Sequence, residues 1–184
     1  SASVRNAMRD EAISAKFYLP EPSNFMEEAA DLAEMLCAMI GYSFVRRPIT
    51  WPARMQYIEG KPNLLLEAAH NPSGMERVIP EIAAILPEKW SLLLGTSPQQ
   101  DMAEFLRPLY ALVSTHPPVE MITTEPKEGR YPGVKNPIEG ITHIENPVTA
   151  IQSFKNPTDL ILVTGSLYLC GNILSYLGLD ADIV

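Results

Sequence analysis

The sequence predicts an α/β protein in which helices cover both faces of a mostly parallel, doubly wound sheet. Three observations lead to this prediction. Apolar runs of strand length alternate with helix-start signals over most of the chain, as expected of strands buried on both faces. Hydrophobic residues make up 46% of the chain and charged residues 20%, which is typical of globular proteins. A length of 184 residues suits one domain, or one domain with a fragment of another.

The first element is a helix, and the pattern favours helix through residues 1–47. Asn24 has the side chain of an N-cap, and Glu27, three residues later, that of its capping-box partner. Apolar residues then recur at helical spacing until Gly41, a usual helix terminator. Because the pattern changes near residue 48, we divide the chain into a helical segment, 1–47, and a sheet domain, 48–184.

Five strands are predicted within the sheet domain. Three of them, NLLLEAA, KWSLLLG and DLILVT, are almost wholly apolar, which indicates central strands of a parallel sheet. The predicted ranges are 63–69, 89–95, 119–123, 141–145 and 159–164.

Helices are predicted after the first two strands. Ser73 and Glu76 have the spacing of a capping box and open the first of these helices. Pro80 lies inside it and is expected to kink or restart it. Ser97, followed by Pro98, supplies an N-cap and a first-turn proline for the second helix.

The last third of the chain contains a loop and two further helices. Residues 124–140 hold three prolines and three glycines, so they are predicted to form a long loop. Asn146 opens a short helix before the last strand. The final helix spans 166–177 and ends at Gly178.

Composition excludes several classes of function. With 14 basic against 22 acidic residues the net charge is −8, which argues against a nucleic-acid or anionic-membrane partner. Cys37 and Cys170 lie far apart, form no disulfide framework, and with three histidines show no metal-ligand spacing. The longest apolar stretch, 160–177, is interrupted by polar residues and is too short to span a bilayer. A cytoplasmic location without a metal site in this chain fits these features.

The candidate site lies where strands end, because ligands of doubly wound sheets bind beyond the carboxyl ends of the strands. Glu67, His70 and Asn71 follow the first apolar strand and run into a helix N-terminus. Such a corner suits a nucleotide, since a carboxylate accepts from ribose hydroxyls and a helix N-terminus favours anions. The alternative is structural: Asn71 caps the helix and His70 is an ordinary strand-end histidine.

Two further residues are candidates on weaker grounds. Ser166 follows the last strand in a Thr-Gly-Ser turn that lets a ligand approach the backbone, although it equally suits an N-cap. Arg54 follows a proline and has the side chain best suited to phosphate oxygens, although alone it equally suits a surface position.

Familiar nucleotide and hydrolase motifs are absent from the 184 residues. The sequence has no GxxxxGKS or GxxxxGKT phosphate loop, no GxGxxG after a strand and no GxSxG elbow. The residues alone therefore predict part of an active site.

Three motifs in order add a resemblance: W-P-A-R at 51–54, L-L-L-E-A-A-H-N-P at 64–72 and L-V-T-G-S-L-Y-L at 162–169. Over about 24–178 the chain resembles the C-terminal domain of the folylpolyglutamate synthase/dihydrofolate synthase family, a branch of the Mur ligase superfamily. The resemblance implies a Rossmann-like C-terminal domain at 48–184. It also implies that 1–47 is the helical tail of a preceding central domain, which carries the phosphate loop in that family.

The resemblance implies an ATP-dependent amide-forming ligase. Such an enzyme adds L-glutamate to a folate or dihydropteroate carboxylate through an acyl phosphate, with Mg²⁺ expected mainly from the central domain. That domain would be this chain's partner, and the isolated chain is expected to be inactive.

The resemblance also implies roles for individual residues. Arg54 and His70 would be catalytic, with Arg54 at an ATP phosphate and Glu67 at the ribose. His70 and Asn71 would lie at the nucleotide or acyl phosphate, and Ser166 with His70 would line the glutamate pocket. The chain departs from the family pattern in having Glu67 for an aspartate, and alanine for glycine at positions 53 and 68.

Two other functions remain open at this level. One is a Mur-type ligase that adds an amino acid to a peptidoglycan precursor. The other is a non-catalytic nucleotide-binding or interaction module, which the missing phosphate loop and the Glu67 substitution both favour.

Overall fold

The computed structural model describes residues 24–47, 51–156 and 158–180. Its backbone divides into two compact units, Ser1–Pro48 and Ile49–Val184. The first unit contains one described helix, α1, Phe25–Met39. As predicted, Asn24 caps α1, and its side chain accepts a hydrogen bond from the Glu27 N–H at 3.0 Å.

Helix α1 ends at the predicted glycine. Gly41 has a φ of 78°, in the left-handed region where glycine is favoured. The Tyr42 N–H donates to the Cys37 carbonyl at 2.9 Å and the Gly41 N–H to the Ala38 carbonyl at 3.3 Å, which is the Schellman pattern. The prediction of helix throughout 1–47 is therefore wrong for 40–47, and its first 23 residues lie outside the described part of the chain.

The second unit is a six-stranded sheet with four described helices. The sheet order is β1-β2-β6-β3-β4-β5, and every neighbouring pair is parallel except β1 with β2. The prediction of a mostly parallel sheet is thus confirmed. The elements are β1 Gln56–Ile58, β2 Asn63–Glu67, α2 Pro72–Ile85, β3 Trp90–Leu94, α3 Met102–Thr115, β4 Met121–Thr123, β5 Thr142–His143, α4 Pro147–Gln152, β6 Leu160–Thr164 and α5 Leu167–Tyr176.

The strand predictions are confirmed for the three apolar runs, which form β2, β3 and β6, but the edge strand β1 was not predicted. All residues of β3 and β6 are buried, as predicted for central strands. Strands β4 and β5 are shorter than predicted. Strand β1 was not predicted, because three residues of mixed polarity give no period; it lies antiparallel to β2 with Gln56 opposite Leu66.

Two helix starts differ from the prediction. Helix α2 begins at Pro72 and its N-cap is Asn71, whose side chain accepts from the Gly74 N–H at 2.7 Å; the capping box at Ser73 is therefore wrong. Helix α3 begins at Met102 and its N-cap is Asp101, not Ser97. Each true cap is an Asx residue that reaches an N–H three residues ahead.

Helix α2 also continues through Pro80 as one element, where a kink or restart was expected. The proline removes the partner of the Glu76 carbonyl, four residues earlier. Both residues are exposed, so water can satisfy that carbonyl.

Two hydrophobic cores lie on opposite faces of the sheet, because alternate residues of one strand point to opposite sides. On one face Leu92 and Leu94 of β3 pack with α2 and α3; on the other Leu93 packs with α4 and α5. This arrangement confirms a doubly wound sheet with helices on both faces. Among the described residues, no helix is both long enough and apolar enough to cross a membrane.

Candidate functional site

The carboxyl edge of the sheet brings together the segments that the sequence singled out. Glu67 at the end of β2 lies level with Thr164 of β6, which in turn lies level with Leu94 of β3. The turn before β1 joins the same edge, because the Ala68 N–H donates to the Ala53 carbonyl at 2.8 Å. The segments 51–55, 67–71 and 164–166 therefore meet at the edge where such sheets bind ligands.

Arg54 and Glu67 form a partly buried ion pair at this edge. Arg54 Nη1 donates to Glu67 Oε1 at 3.2 Å, and the Met55 N–H donates to Glu67 Oε2 at 2.9 Å. The Glu67 side chain is 1% exposed and that of Arg54 is 31% exposed. Both carboxylate oxygens thus accept hydrogen bonds within the protein, while the Arg54 side chain is partly exposed to solvent.

Burial raises the pKa of the Glu67 carboxyl, since the charged form is the one that loses hydration. The Met55 N–H and the Arg54 guanidinium both stabilise the carboxylate and oppose that rise. The direction of the net shift shows that desolvation is the larger effect. The Ala69 N–H acts in the same direction as those two donors, so the charge of the Glu67 carboxylate depends on three donors.

The turn that carries Arg54 is held in an unusual backbone conformation. Ala53 and Met55 have φ values of 56° and 46°, in the left-handed region that L-residues rarely adopt. The Gln56 side chain accepts from the Ala53 N–H at 2.8 Å and the Trp51 carbonyl accepts from the Arg54 N–H at 3.1 Å. Together with Glu67, these bonds fix the turn against the end of β2.

His70 lies at the exposed end of the same segment. Its Nδ1 lies 2.9 Å from the Ala68 carbonyl. A carbonyl only accepts, so Nδ1 carries the proton in this contact and Nε2 of the neutral ring is an acceptor. The Gln99 side chain donates to the His70 carbonyl at 3.1 Å and to Thr96 Oγ1 at 3.2 Å. Gln99 therefore ties the loop after β3 to His70.

Asn71 and Ser166 both have structural roles as helix caps. Besides its bond from Gly74, the Asn71 Oδ1 accepts from Ser73 Oγ at 3.1 Å. Ser166 is buried, and its Oγ accepts from the Tyr168 N–H at 3.2 Å, which caps α5. Both side chains therefore cap helices, and these caps place two helix N-termini along this edge.

A second cluster of charges lies further along the edge, after β4 and β5. Lys127 Nζ contacts Glu145 Oε1 at 2.9 Å and Glu125 Oε2 at 3.5 Å, and His143 Nε2 lies 3.5 Å from Glu125 Oε1. Glu145 is 69% exposed and Lys127 37% exposed. Asn172 of α5 bonds both the N–H and the carbonyl of Lys127, so the loop that carries the lysine is anchored.

A groove of about 1050 Å³ opens between this loop and α5. Trp51, Tyr168 and Tyr176 contribute aromatic side chains to its walls. The five predicted site residues are not among its lining residues.

The predicted site residues are thus only partly assembled. Arg54 contacts Glu67 directly, and His70 and Asn71 follow on the same segment, whereas Ser166 lies on the neighbouring strand end. Sequence reasoning missed Gln99 and the Met55 N–H, because only the fold brings them to the edge.

The described residues contain no cluster of side chains that could bind a metal ion by themselves. Within residues 24–47, 51–156 and 158–180 no group of three histidine, cysteine, aspartate or glutamate side chains could hold a metal ion. At the edge, both oxygens of Glu67 already accept hydrogen bonds. In the described part of the chain, no cluster of metal ligands therefore lies at this edge.

A mostly parallel, doubly wound sheet with helices on both faces defines a Rossmann-like domain. Residues 53–167 match the family model described as "Mur ligase, glutamate ligase domain". Since this match covers more than half of the chain, the chain belongs to that family.

Known relatives agree with this assignment. The chain is 27% identical over 124 residues to the folylpolyglutamate synthase of Lacticaseibacillus casei, and the aligned region covers 67% of this chain but 29% of that enzyme. The chain thus spans well under half of the relative that it matches.

Solved structures share the fold. The structure of folylpolyglutamate synthase from Thermotoga maritima matches with a TM-score of 0.64 at 22% identity, over 87% of this chain and 39% of that one. The Mycobacterium tuberculosis folylpolyglutamate synthase complexed with ADP and AMPPCP matches with the same TM-score at 17% identity, over 83% of this chain and 40% of that one. E. coli FolC in complex with DHPP and ADP also matches with a TM-score of 0.64, at 18% identity, over 89% of this chain and 42% of that one.

Proposed function

We propose that this domain is the C-terminal part of an ATP-dependent ligase that adds L-glutamate to a folate or dihydropteroate carboxylate through an acyl phosphate. The observation that carries the proposal is Arg54, held by Glu67 and partly open to solvent at the edge where α2 begins. The family match covers this segment, and a bifunctional folylpolyglutamate synthase/dihydrofolate synthase with the same fold was solved with Mn, AMPPNP and L-glutamate bound. A cytoplasmic location belongs to the same proposal.

In this reaction the folate carboxylate attacks the γ-phosphorus of ATP and ADP leaves. The amine of glutamate then attacks the acyl phosphate, and inorganic phosphate leaves. Negative charge spreads over the phosphoryl oxygens in the first step, so a positioned guanidinium and a helix N-terminus favour it. We assign Arg54 to a phosphate oxygen of ATP, with the N-terminus of α2, capped by Asn71, beside it.

His70 is assigned to the amine. With Nδ1 held on the Ala68 carbonyl, Nε2 can accept a hydrogen bond from the ammonium of glutamate and take one proton, so that the free amine attacks; the proton that the nitrogen loses after attack leaves with the phosphate. Ser166 is assigned to a glutamate carboxylate. Its Oγ accepts from the Tyr168 N–H, and its hydroxyl hydrogen remains a donor for an oxygen of the substrate.

The test is incorporation of labelled L-glutamate by the full-length gene product that contains these residues. ATP and either dihydropteroate or tetrahydrofolate are supplied. We expect incorporation in the wild type, and a loss of more than about tenfold for Arg54→Ala and for His70→Ala. Glu145→Gln, in the exposed cluster, is the matched control and should be unaffected. Absence of glutamate transfer to either pterin would reject the proposal, and full activity of both variants would reject the residue assignments.

The 184-residue chain alone gives a second test. It contains no phosphate-loop motif, so we expect no ATP-dependent glutamate incorporation from it. Measurable phosphate release on addition of folate and glutamate would show that the chemistry is complete within these residues.

A further inference from the structure

Glu67 sits at the candidate site but faces inward. Its side chain is 1% exposed, and each carboxylate oxygen accepts a bond from the segment 54–55. Because the side chain is 1% exposed, a ribose hydroxyl could reach the carboxylate only if the residues that cover it moved. The geometry therefore does not support the ribose contact that the family resemblance implies for this residue.

We propose that Glu67 is a positioning residue that holds the Arg54 guanidinium, and the turn that carries it, in place for a phosphate group. This inference rests on the proposed function, because it takes Arg54 as the group that meets the phosphate. Glu67 itself acts through Arg54 and does not touch the nucleotide.

The backbone of the turn explains why a side-chain anchor is needed. Ala53 and Met55, on either side of Arg54, have left-handed φ values, and such a backbone conformation persists only when its surroundings hold it. The Ala68 N–H holds the Ala53 carbonyl, and Glu67 Oε2 holds the Met55 N–H. Consecutive residues of one strand end thus hold both sides of Arg54.

The Arg54 guanidinium can contact Glu67 and a phosphate group at the same time. Only Nη1 is within hydrogen-bond distance of Glu67 Oε1, and the side chain is 31% exposed. Because a guanidinium has five N–H donors in a planar fork, one edge can remain on Glu67 while another turns to phosphate oxygens. Fixing the plane beforehand reduces the entropy lost when the ligand binds.

The glutamine variant separates the two contacts. In Glu67→Gln the amide oxygen can still accept from the Met55 N–H, but the amide NH₂ then faces Arg54 Nη1, donor against donor. The variant therefore releases Arg54 while the shape of the side chain is kept. Glu145→Gln makes the same chemical change on an exposed glutamate that also contacts a cation, and is the matched control.

The decisive experiment measures KM for ATP in the full-length gene product, alone and in a double-mutant cycle. Glu67→Gln should raise KM by about tenfold, Arg54→Ala by at least as much, and the double variant no more than Arg54→Ala alone. If the increase in KM of the double variant equals the product of the two single increases, Glu67 acts independently of Arg54 and the inference is wrong.

Nucleotide analogues distinguish positioning from ribose binding. With 2′-deoxyATP and 3′-deoxyATP, Glu67→Gln should raise KM by the same factor as with ATP, because the lost contact is to phosphate. If the variant weakens ATP alone and leaves the deoxy analogues unchanged, Glu67 binds the ribose and the inference is wrong.

A structural measurement on the 184-residue chain keeps this test separate from the proposed function. Nitrogen-15 NMR should show faster solvent exchange of the Arg54 side-chain N–H groups in Glu67→Gln, by about tenfold, with the Met55 amide still protected. Unchanged Arg54 exchange would overturn the positioning role even if the ligase is active. Faster exchange without any ligase activity would reject the proposed function and retain the anchor.

Discussion

Two clusters of cation and carboxylate lie along the same edge of the sheet, and the carboxyl pKa is shifted in opposite directions in the two. In the first, Glu67 is 1% exposed beside Arg54; in the second, Glu145 is 69% exposed beside Lys127. Burial raises the pKa of Glu67 in spite of its partner, whereas the Lys127 ammonium lowers the pKa of Glu145. A nearby cation lowers a carboxyl pKa only where desolvation is the smaller effect.

The difference indicates which cluster is built to hold a residue in place. A buried carboxylate that loses its cation remains as an uncompensated charge, so it constrains its partner strongly. An exposed pair is solvated on both sides and constrains little. We therefore expect the Arg54 corner to respond to substitution far more than the Lys127 loop.

The largest effect should follow loss of the cation beside the buried Glu67. Arg54→Ala leaves the Glu67 carboxylate with backbone donors only, the Met55 and Ala69 N–H groups, and should lower the free energy of unfolding by about 2–3 kcal/mol. Urea denaturation of the 184-residue chain at neutral pH measures this. Lys127→Ala should give a much smaller change, and equal losses in the two variants would remove the contrast between the clusters.

The next effect is a dependence of stability on pH. Because the pKa of Glu67 is raised in the folded chain, the native state binds a proton more tightly than the unfolded state. Its contribution is fully present below the unfolded pKa of a glutamic acid and is lost as pH rises through the folded value. The free energy of unfolding should therefore fall less over this window in Glu67→Gln than in the wild type. Parallel pH profiles from urea titrations would contradict a raised pKa.

A smaller effect tests the cap that separates β2 from α2. Asn71→Ala removes the acceptor of the Gly74 N–H and should cost about 1 kcal/mol of stability. Ser73→Ala removes only a donor to Asn71 and should cost less than about 0.5 kcal/mol. Thermal or urea denaturation compares the two; the reverse order would restore Ser73 as the cap.

The smallest effect is expected in the exposed cluster. Glu145→Gln removes a charge that water already solvates, so denaturation curves at physiological salt should overlay those of the wild type. A clear loss of stability would show that the Lys127 loop depends on this pair as well as on Asn172.

Local patterns in the sequence were enough to predict the centre of the fold. Strands β2, β3 and β6 are continuous apolar runs, the pattern expected of strands that are buried on both faces. Three helix caps were also predicted from their position before a helix: Asn24, Asn146 and Ser166. The carboxyl-edge rule then selected 67–71 and 164–166 before any contact was known.

The remaining features depend on contacts between distant segments. Ser97 resembles an N-cap, yet Gln99 bonds Thr96 and His70 and keeps this stretch as a loop until Asp101. The inward orientation of Glu67 depends on a turn 13 residues earlier in the chain. No local pattern reports such a pairing, so the sequence placed Glu67 at the site but assigned its carboxylate to a ligand.

The most direct measurement of the central claim is backbone and side-chain NMR of the 184-residue chain during titration with ADP. If phosphate binds at the corner held by Glu67, the Arg54 side-chain signals and the Gly74 amide at the start of α2 should shift with one common binding curve. Lys127 should stay unchanged, and Arg54→Ala should abolish the shifts. Shifts confined to the Lys127 loop, or identical titrations of the wild type and Arg54→Ala, would contradict the account.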